Sequence, residues 1–529
     1  MLLPSSIAIA RQTLLILLPE LLLILSATVM MTAGAFVRLP RRHWCLAATT
    51  AVGFSLLCLL GLGSHQIDMY SSIVLNDAFS YYARLVLLLT GLVMLALAHD
   101  QVDDARAAEY FGSILMMNAG AMIVAASNEL MILFIGLEIV SMPTYLLLYL
   151  SRRNATTQEA ATKYFLLSVF SSGLLLYGLA FLYGMTGLSN LKALAFLTQH
   201  MGGALDGNLA IIALVFVMAG LGFRVAAVPF HFYAPDVYEG SPTVIAAILS
   251  WIPKAVGFLG MTRVMTAIFS AGGHGYGPIE RAVLLGCLVA LATMTLGNTV
   301  ALLQDNLKRL FAYSSIAHAG YLMVGITSAF TNQADSTTAF LGVQGVLFYL
   351  IAYALMTLGI FGVIIALSTP ERPIETVQDF AGLGTTHPVI AFLTAICLFS
   401  LAGIPPLAGF YGKFAIFMSA LDAAGTGPNS SMLWWLAVIG VLNAAAGAYY
   451  YLRIVVYIYL RPAPADPITP KLAWPTMTAV GACAALSLIL GLLPGRISVA
   501  TRAAAVSSMS LETPVAEPVT TPVALSESN

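Results

Sequence analysis

The sequence predicts an all-α integral membrane protein of about fourteen transmembrane helices, with two inverted five-helix repeats, spans 4–8 and 9–13, that contain broken helices 7 and 12. Three observations carry this reading. The 529 residues are 59% hydrophobic and 9% charged, with mean hydropathy +0.90, so there is too little polar surface to cover a soluble globule. Apolar runs of about 20 residues recur, the length that crosses roughly 30 Å of hydrocarbon as a helix. Two of these runs, five apart, are interrupted by Gly and Pro.

In order, the spans fall at approximately 13–37, 44–62, 79–98, 109–127, 129–150, 160–185, 209–232, 242–268, 280–303, 309–330, 339–367, 388–420, 432–460 and 473–494. Residues 1–105 hold three flanking helices, 106–270 the first five-helix repeat, 278–460 the second, and 461–502 the final helix. An odd number of helices per repeat inverts one against the other in the membrane. The first span is too long for a secretory signal and no small-residue cleavage site follows it, so it counts as a helix. After Arg502 the sequence AAAVSSMSLETPVAEPVTTPVALSESN is rich in Ser, Thr and Pro, and 503–529 are expected to form a disordered tail.

A net charge of −1 with no cluster of Lys and Arg excludes nucleic acid as a partner. Cys45, Cys58, Cys287, Cys397 and Cys483 are scattered singly through apolar segments and read as small hydrophobes, without metal or cluster spacing. Loops after odd-numbered spans carry about eleven Lys and Arg, against about five on the other side. The basic loops are therefore expected in the cytoplasm of a bacterial cell, with both termini on the periplasmic side of the inner (plasma) membrane.

The cations that fall inside spans are the informative ones: Arg84, Lys163, Arg224, Lys254, Arg263, Lys413 and Arg453. Lys163, Arg263 and Arg453 lie a turn or two from span ends and are expected to snorkel to the headgroups. Arg84 is grouped with them, with Asp77 as its available partner. Lys254 and Lys413 each have about ten apolar residues on either side, and a lysine in hydrocarbon costs roughly 2.5–3.5 kcal/mol on insertion scales. Function is the better account of both. Glu138, in GLEIVSMPTYLLLYL, lies near the middle of its span and needs a buried cation, for which Arg224 is the best candidate.

The backbone near these charges is interrupted. Arg224 lies in GLGFRVAAVPFHFYAPDVYEGSP with Pro229 and Pro235 downstream, and Lys413 lies in LAGIPPLAGFYGKF with Pro405 and Pro406 upstream. Proline removes a donor and clashes with the preceding turn. Such breaks persist at membrane depth only where protein or a water-filled cavity satisfies the freed groups. GFRVA and YGKFA match loosely in register between the two spans. His231, beside Pro229, is expected to cap freed backbone groups.

Six motifs in order, GLEIVSMPTYLL, ATKYFLLSVFSSGLLLYG, PFHFYAPDVYEGSP, SWIPKAVGF, QDNLKRLFAYSSIAHAGY and LAGIPPLAGFYGKF, resemble those of the antiporter-like proton-translocating subunits of respiratory complex I. PDVYEGSP follows the pattern of the subunit N type. The likeness runs from about residue 105 to 460. It implies that the fifth-span glutamate is Glu138, the central eighth-span lysine Lys254 and the twelfth-span lysine Lys413. The seventh-span lysine falls on Arg224, a departure: arginine keeps the charge but does not release a proton in use.

Burial favours a neutral amine and a nearby carboxylate favours a charged one, so a buried lysine can be brought to change state. On this reading Lys254 is a proton store, the Glu138–Arg224 pair sets its field, and water in the broken helices carries its proton toward Lys413. His318 and Tyr321, in SSIAHAGY, are possible relays. The resemblance implies a proton-pumping subunit of an NADH:quinone oxidoreductase, with other membrane-arm subunits as partners, the other antiporter-like subunits among them. Flavin, iron–sulfur clusters and quinone would belong to the partner subunits and no cofactor to this chain. The alternatives are a subunit of a cation/proton antiporter or hydrogenase-linked pump, and an independent secondary transporter with a solute site at the repeat interface.

Overall fold

The structure is a computed structural model that describes residues 3–63, 70, 72–151, 154–200, 207–269, 276–331, 336–369, 372–425, 430–464 and 473–510. The first span is two helices in succession, α1 (Leu3–Ile16) and α2 (Leu18–Phe36). Pro19 sits in the first turn of α2, where its missing N–H removes no helical hydrogen bond. α3 (Arg41–Leu62) and α4 (Ala78–Ala98) complete the flanking group, and Asp77 caps α4 by accepting from Ser80 N at 2.8 Å. Then come α5 (Ala107–Ala126), α6 (Leu130–Ser151) and α7 (Ala155–Thr186), with Asn154 capping α7. The short α8 (Leu191–His200) leads to α9 (Asn208–Val225), α10 (Tyr233–Gly240) and α11 (Thr243–Phe269). The second half holds α12 (Tyr276–Ala301), α13 (Leu307–Thr331), α14 (Ser336–Leu367), the single turn α15 (Leu383–Thr386), α16 (Pro388–Ala402), α17 (Ala408–Ala424) and α18 (Ser430–Leu460). α19 (Trp474–Leu492) and α20 (Gly495–Met509) close the chain.

Among the described residues, 13 helices are long and apolar enough to cross a membrane. The remaining predicted crossing, at 388–420, is assembled from α16 and α17. α11, α13 and α14 are apolar on every side and buried along almost their whole length, as central helices of a large bundle must be. The groups of interest hang from α6, α11 and α13 and from the two broken spans.

Both breaks end in the same cap. α9 stops at Val225 and the next residue, Ala226, turns left-handed at φ 58°, with Ala226 N donating to Phe223 O at 3.0 Å and Ala227 N to Gly222 O at 2.8 Å. α16 stops at Ala402 and Gly403 turns left-handed at φ 86°, with Gly403 N on Ser400 O and Ile404 N on Phe399 O, each at 3.0 Å. This crossed pair of bonds satisfies the last carbonyls of each half-helix. Aligned on these caps, the counterpart of Arg224 is Leu401 and that of Lys413 is Asp236. The likeness of GFRVA to YGKFA is therefore not a structural equivalence: Arg224 precedes its break and Lys413 follows its own.

The tail differs from expectation. Helix α20 runs through Arg502 to Met509, burying Thr501, Ala504, Ala505 and Ser508 against α4 and α14. Small side chains at helical spacing let its backbone lie close to those helices, an effect that residue composition alone hides. Phe79 N donates to Ser507 Oγ at 3.2 Å, and Gln344 Nε2 to Ser498 Oγ at 3.0 Å. The rest of the expected tail, 511–529, lies outside the described residues.

The left-handed cap makes a prediction. A residue with a Cβ at this conformation costs about 1–2 kcal/mol that glycine avoids, offset in part by glycine's entropy. Ala226→Gly should therefore raise stability by roughly 0.5–1 kcal/mol, whereas Ala226→Val should lower it. Thermal unfolding of the purified protein in its native membrane assembly reads both.

Candidate functional site: a file of buried charges

At the break of the first half, α9 ends on Arg224, which is buried against α6 and α7. Its Nη2 donates to Glu138 Oε1 at 2.9 Å and to Ser172 Oγ at 3.1 Å, and Ser172 in turn donates to Glu138 Oε1 at 2.5 Å. Nη1 donates to Ser141 Oγ. Glu138 and Arg224, paired from the sequence, are thus in contact, with two serines that share the charge. Burying such a pair is tolerable only when the remaining donors and acceptors are also met, and here the hydroxyls meet them.

A small cavity of about 10 Å³, room for roughly one water molecule, lies beside this pair, lined by Arg224, Tyr164, Tyr233, Tyr238, Pro253 and Lys254 among others. It joins the first charge centre to the second. Lys254, on fully buried α11, donates through Nζ to Ser315 O and lies 5.3 Å from the centroid of the Tyr353 ring. Ser315 Oγ accepts from Tyr353 OH at 2.9 Å and lies 3.3 Å from Tyr238 OH. Lys254 therefore has dipoles and an aromatic face around it but no carboxylate in contact.

His318, one turn along α13 from Ser315, is buried with both ring nitrogens engaged. Nδ1 is 2.5 Å from Tyr349 OH and Nε2 is 3.0 Å from Tyr451 OH. Tyr451 OH also meets Ser314 Oγ, and Tyr450 OH donates to Asn298 Oδ1 at 3.1 Å. Asn298 Nδ2 donates to Tyr321 OH at 2.8 Å. The far end of this hydroxyl chain is Lys413, whose Nζ stands 5.4 Å from the centroid of the Tyr321 ring. Its donors go to Leu401 O at 2.8 Å and Ala402 O at 3.1 Å, the carbonyls at the broken end of α16, where helical partial charge is negative. Gly403, at the break itself, leaves room for this approach: a Cβ there would stand 3.1 Å from Lys413 Cδ and 3.2 Å from its Nζ.

The six candidates from the sequence thus fall into two adjoining groups: Glu138 and Arg224 share a cavity with Lys254, and His318, Tyr321 and Lys413 lie about one network of tyrosines. Tyr321 reaches it differently from a simple relay, since its hydroxyl faces Asn298 and its ring faces Lys413. Tyr238, Ser315, Tyr349, Tyr353, Tyr450, Tyr451 and Asn298 were not singled out. The i, i+4 spacing of Tyr349 and Tyr353 in FYLIAYAL, which puts both on one helix face, is a signal that could have found those two.

Other intramembrane charges depart from expectation. Arg263 does not snorkel: it is buried, with Nη1 and Nη2 each 2.7 Å from an oxygen of Asp77, and its Nε and Nη2 donate to Ala125 O. Asp77 is therefore not the partner of Arg84. Arg84 pairs with Glu20, Nε to Oε1 at 2.8 Å, both fully buried. Lys163 pairs with Glu159 at 2.7 Å and Asp236 at 2.8 Å, and Arg453 with Asp305 at 3.4 Å near a helix end. His231 lies by the Pro229 backbone, but its Nδ1 has no partner. Among the described residues no three His, Cys, Asp or Glu side chains gather as metal ligands would.

A helical bundle threaded by two broken spans, with an ion pair and two lysines in its interior, is the architecture of an ion-translocating membrane subunit of the antiporter type. The chain belongs to the NADH:quinone oxidoreductase/Mrp antiporter transmembrane family, whose model matches residues 127–445. It is 37% identical over 485 residues to NADH-quinone oxidoreductase subunit N of Trichlorobacter lovleyi, covering 91% of this chain and 95% of that one. The subunit N of Paramagnetospirillum magneticum is 35% identical over 498 residues, covering 92% and 96%. A chain of respiratory complex I from Thermus thermophilus with bound aureothin has a TM-score of 0.73 and 31% identity, covering 91% of this chain and 99% of that one. The Mrp complex from Dietzia sp. DQ12-45-1b contains a chain of the same fold, at TM-score 0.79 and 21% identity over 94% and 98%.

Lys192, outside the spans at the start of α8, holds the end of α20 by donating to Ser508 O at 3.1 Å and Ser510 O at 2.8 Å. Burial lowers its amine to about 8, against the pull of nearby Asp77 and with the push of Arg263. A free lysine titrates near about 10.4, so between these values the docked state holds fewer protons than the undocked one and docking strengthens as pH rises. Hydrogen exchange of the α20 amides, corrected for intrinsic rates, should show protection rising from pH 8 to 10. Lys192→Met should remove that slope.

Proposed function

We propose that the chain is the proton-translocating membrane-arm subunit of an NADH:quinone oxidoreductase, coupling quinone reduction elsewhere in the complex to proton transfer through Glu138, Arg224, Lys254 and Lys413. The observation that carries this reading is the cavity between Arg224 and Lys254, continued by hydroxyls and His318 to Lys413. The family membership and the full-length likeness to subunit N support it. Electrons are handled by partner subunits bearing flavin, iron–sulfur clusters and quinone. This chain contributes proton chemistry alone. The α5–α11 and α12–α18 segments act as two inverted halves, with the basic loops in the cytoplasm and the termini outside.

Mechanistically, the Glu138–Arg224 pair acts by charge. While the pair is closed, its two charges largely cancel at Lys254. When Glu138 is neutralised or moves away, Arg224 presents an uncompensated cation across the cavity, and like charge disfavours the protonated form of Lys254. The proton then moves along the hydroxyl chain. His318 suits such a relay, because a neutral imidazole donates from one nitrogen and accepts at the other. Tyr349 and Tyr451 occupy those two positions. Lys413 receives the proton beside the negative end of α16.

Two sets of variants test the roles. Lys254→Ala is expected to leave the complex assembled but to abolish most redox-linked proton transfer. Lys413→Ala should do the same, and so should Lys413→Arg, which keeps the charge but cannot release a proton. Wild-type pumping by assembled Lys254→Ala would remove the store from Lys254, and by Lys413→Arg would reduce Lys413 to an electrostatic element. Copurification of flavin and iron–sulfur subunits with the tagged chain separates this reading from a stand-alone transporter.

The second set addresses Arg224. Arg224→Lys should be close to silent, since the charge is kept. Arg224→Ala leaves Glu138 without its cation and should lower stability by about 3–5 kcal/mol, the usual cost of breaking a buried pair. Glu138→Gln should lower protons per electron, and Arg224→Ala with Glu138→Gln should assemble better than Arg224→Ala alone. Normal assembly and pumping in Arg224→Ala would show that Glu138 answers to another group.

A further inference from the structure

We infer that Glu20 and Arg84 form a second charge switch acting on Lys254, placed in the flanking helices outside both halves of the pump. The inference rests on Lys254 being the proton store.

Glu20 lies in the first turn of α2 and Arg84 two turns into α4, each with no exposed surface. Their contrast with Asp77 and Arg263 is informative. That neighbouring pair is locked, both carboxylate oxygens on the guanidinium and the remaining donors on Ala125 O. In the Glu20–Arg84 pair, Nε, Nη1 and Nη2 of Arg84 and both oxygens of Glu20 are buried without a well-directed hydrogen bond. A pair held only by its charge at 2.8 Å is one in which loss of either charge leaves the other bare. A purely structural pair would be expected to carry the hydrogen bonds that its neighbour has.

The pair is also at the depth of the store. α4 and α11 run antiparallel and are joined by Trp251 Nε1 donating to Thr90 Oγ1 at 2.9 Å. Arg84 is six residues before Thr90 and Lys254 three residues after Trp251. At about 1.5 Å per residue both lie on the same side of that bond, roughly 4.5 Å apart along the helices. With helix axes roughly 9 Å apart, Lys254 sits on the order of 10–15 Å from the pair. The titratable and charged groups facing Lys254 from the other elements are Arg224 on α9 with its partner Glu138 on α6, Tyr164 on α7, Tyr233 and Tyr238 on α10, His318 on α13 and Tyr353 on α14. Arg84 is the charge that acts on Glu20. Two Glu–Arg pairs, Glu138–Arg224 and Glu20–Arg84, thus place their arginines on helices that pack on α11.

The test is the pH profile of protons pumped per electron in the assembled complex. Glu20→Gln leaves Arg84 bare, and an uncompensated cation at this distance, at an effective dielectric of about 20, should move the alkaline limb to lower pH by about one unit. Glu20→Gln with Arg84→Met removes both charges and should return the limb to its wild-type place. An unmoved limb in assembled Glu20→Gln, or a double variant shifted as far as the single, overturns the inference. If Glu20→Gln fails to assemble, Arg84→Gln is the opposite arm: it should move the limb to higher pH, and an unmoved limb there is equally fatal. Lys254→Ala, run in parallel, separates the two readings. Normal pumping by Lys254→Ala would overturn the proton store itself, whereas loss of pumping there with an unmoved limb in Glu20→Gln would overturn only the second switch.

Discussion

The structure depends on the expense of charge in a low-dielectric interior. An ionised group deep in a bilayer must be met by opposite charge, by dipoles or by water, and the protein answers this differently at each position. Arg263 is given a carboxylate and a backbone carbonyl. Arg224 is given a carboxylate and two hydroxyls. Lys254 and Lys413 are given only carbonyls and aromatic faces. The gradation runs from groups that can only be charged to groups for which the neutral form is a real alternative.

Much of this was legible in the sequence because a charge in an apolar run is an anomaly that needs no alignment to detect. Glu138, Arg224, Lys254 and Lys413 stood out for that reason, and the broken spans stood out through their Pro and Gly. The partners were harder to read. Serine and tyrosine are unremarkable in membrane helices, so Ser141, Ser172 and Tyr451 carried no signal until helices α6, α7 and α18 were placed beside their partners. Glu20 was missed because a carboxylate beside Pro19 near a span end reads as interfacial. Arg263 was misread for the same reason: distance from a helix end says nothing about what packs over it. Register between the two breaks needed the caps at Ala226 and Gly403, which depend on backbone conformation rather than on residue likeness.

The two breaks solve one problem with different residues. Each ends a half-helix in a left-handed cap and leaves a partly negative end facing inward. In the second half that end holds Lys413 directly. In the first, the position matching Lys413 is Asp236, which is drawn away by Lys163 and Arg309 at the surface. Equivalent architecture therefore supports a buried cation in one half and a surface ion cluster in the other.

Arginine at position 224 has a consequence for how matter and signal divide in this protein. A guanidinium stays charged throughout the physiological range, so the link between Glu138 and Lys254 is closed to protons while remaining open to electric field. In the proposed mechanism Glu138 is thus insulated from Lys254 within the first half, in the way a capacitor passes a voltage step and blocks direct current. In that mechanism, protons bound for Lys254 pass around Arg224, beside the tyrosines that share its cavity.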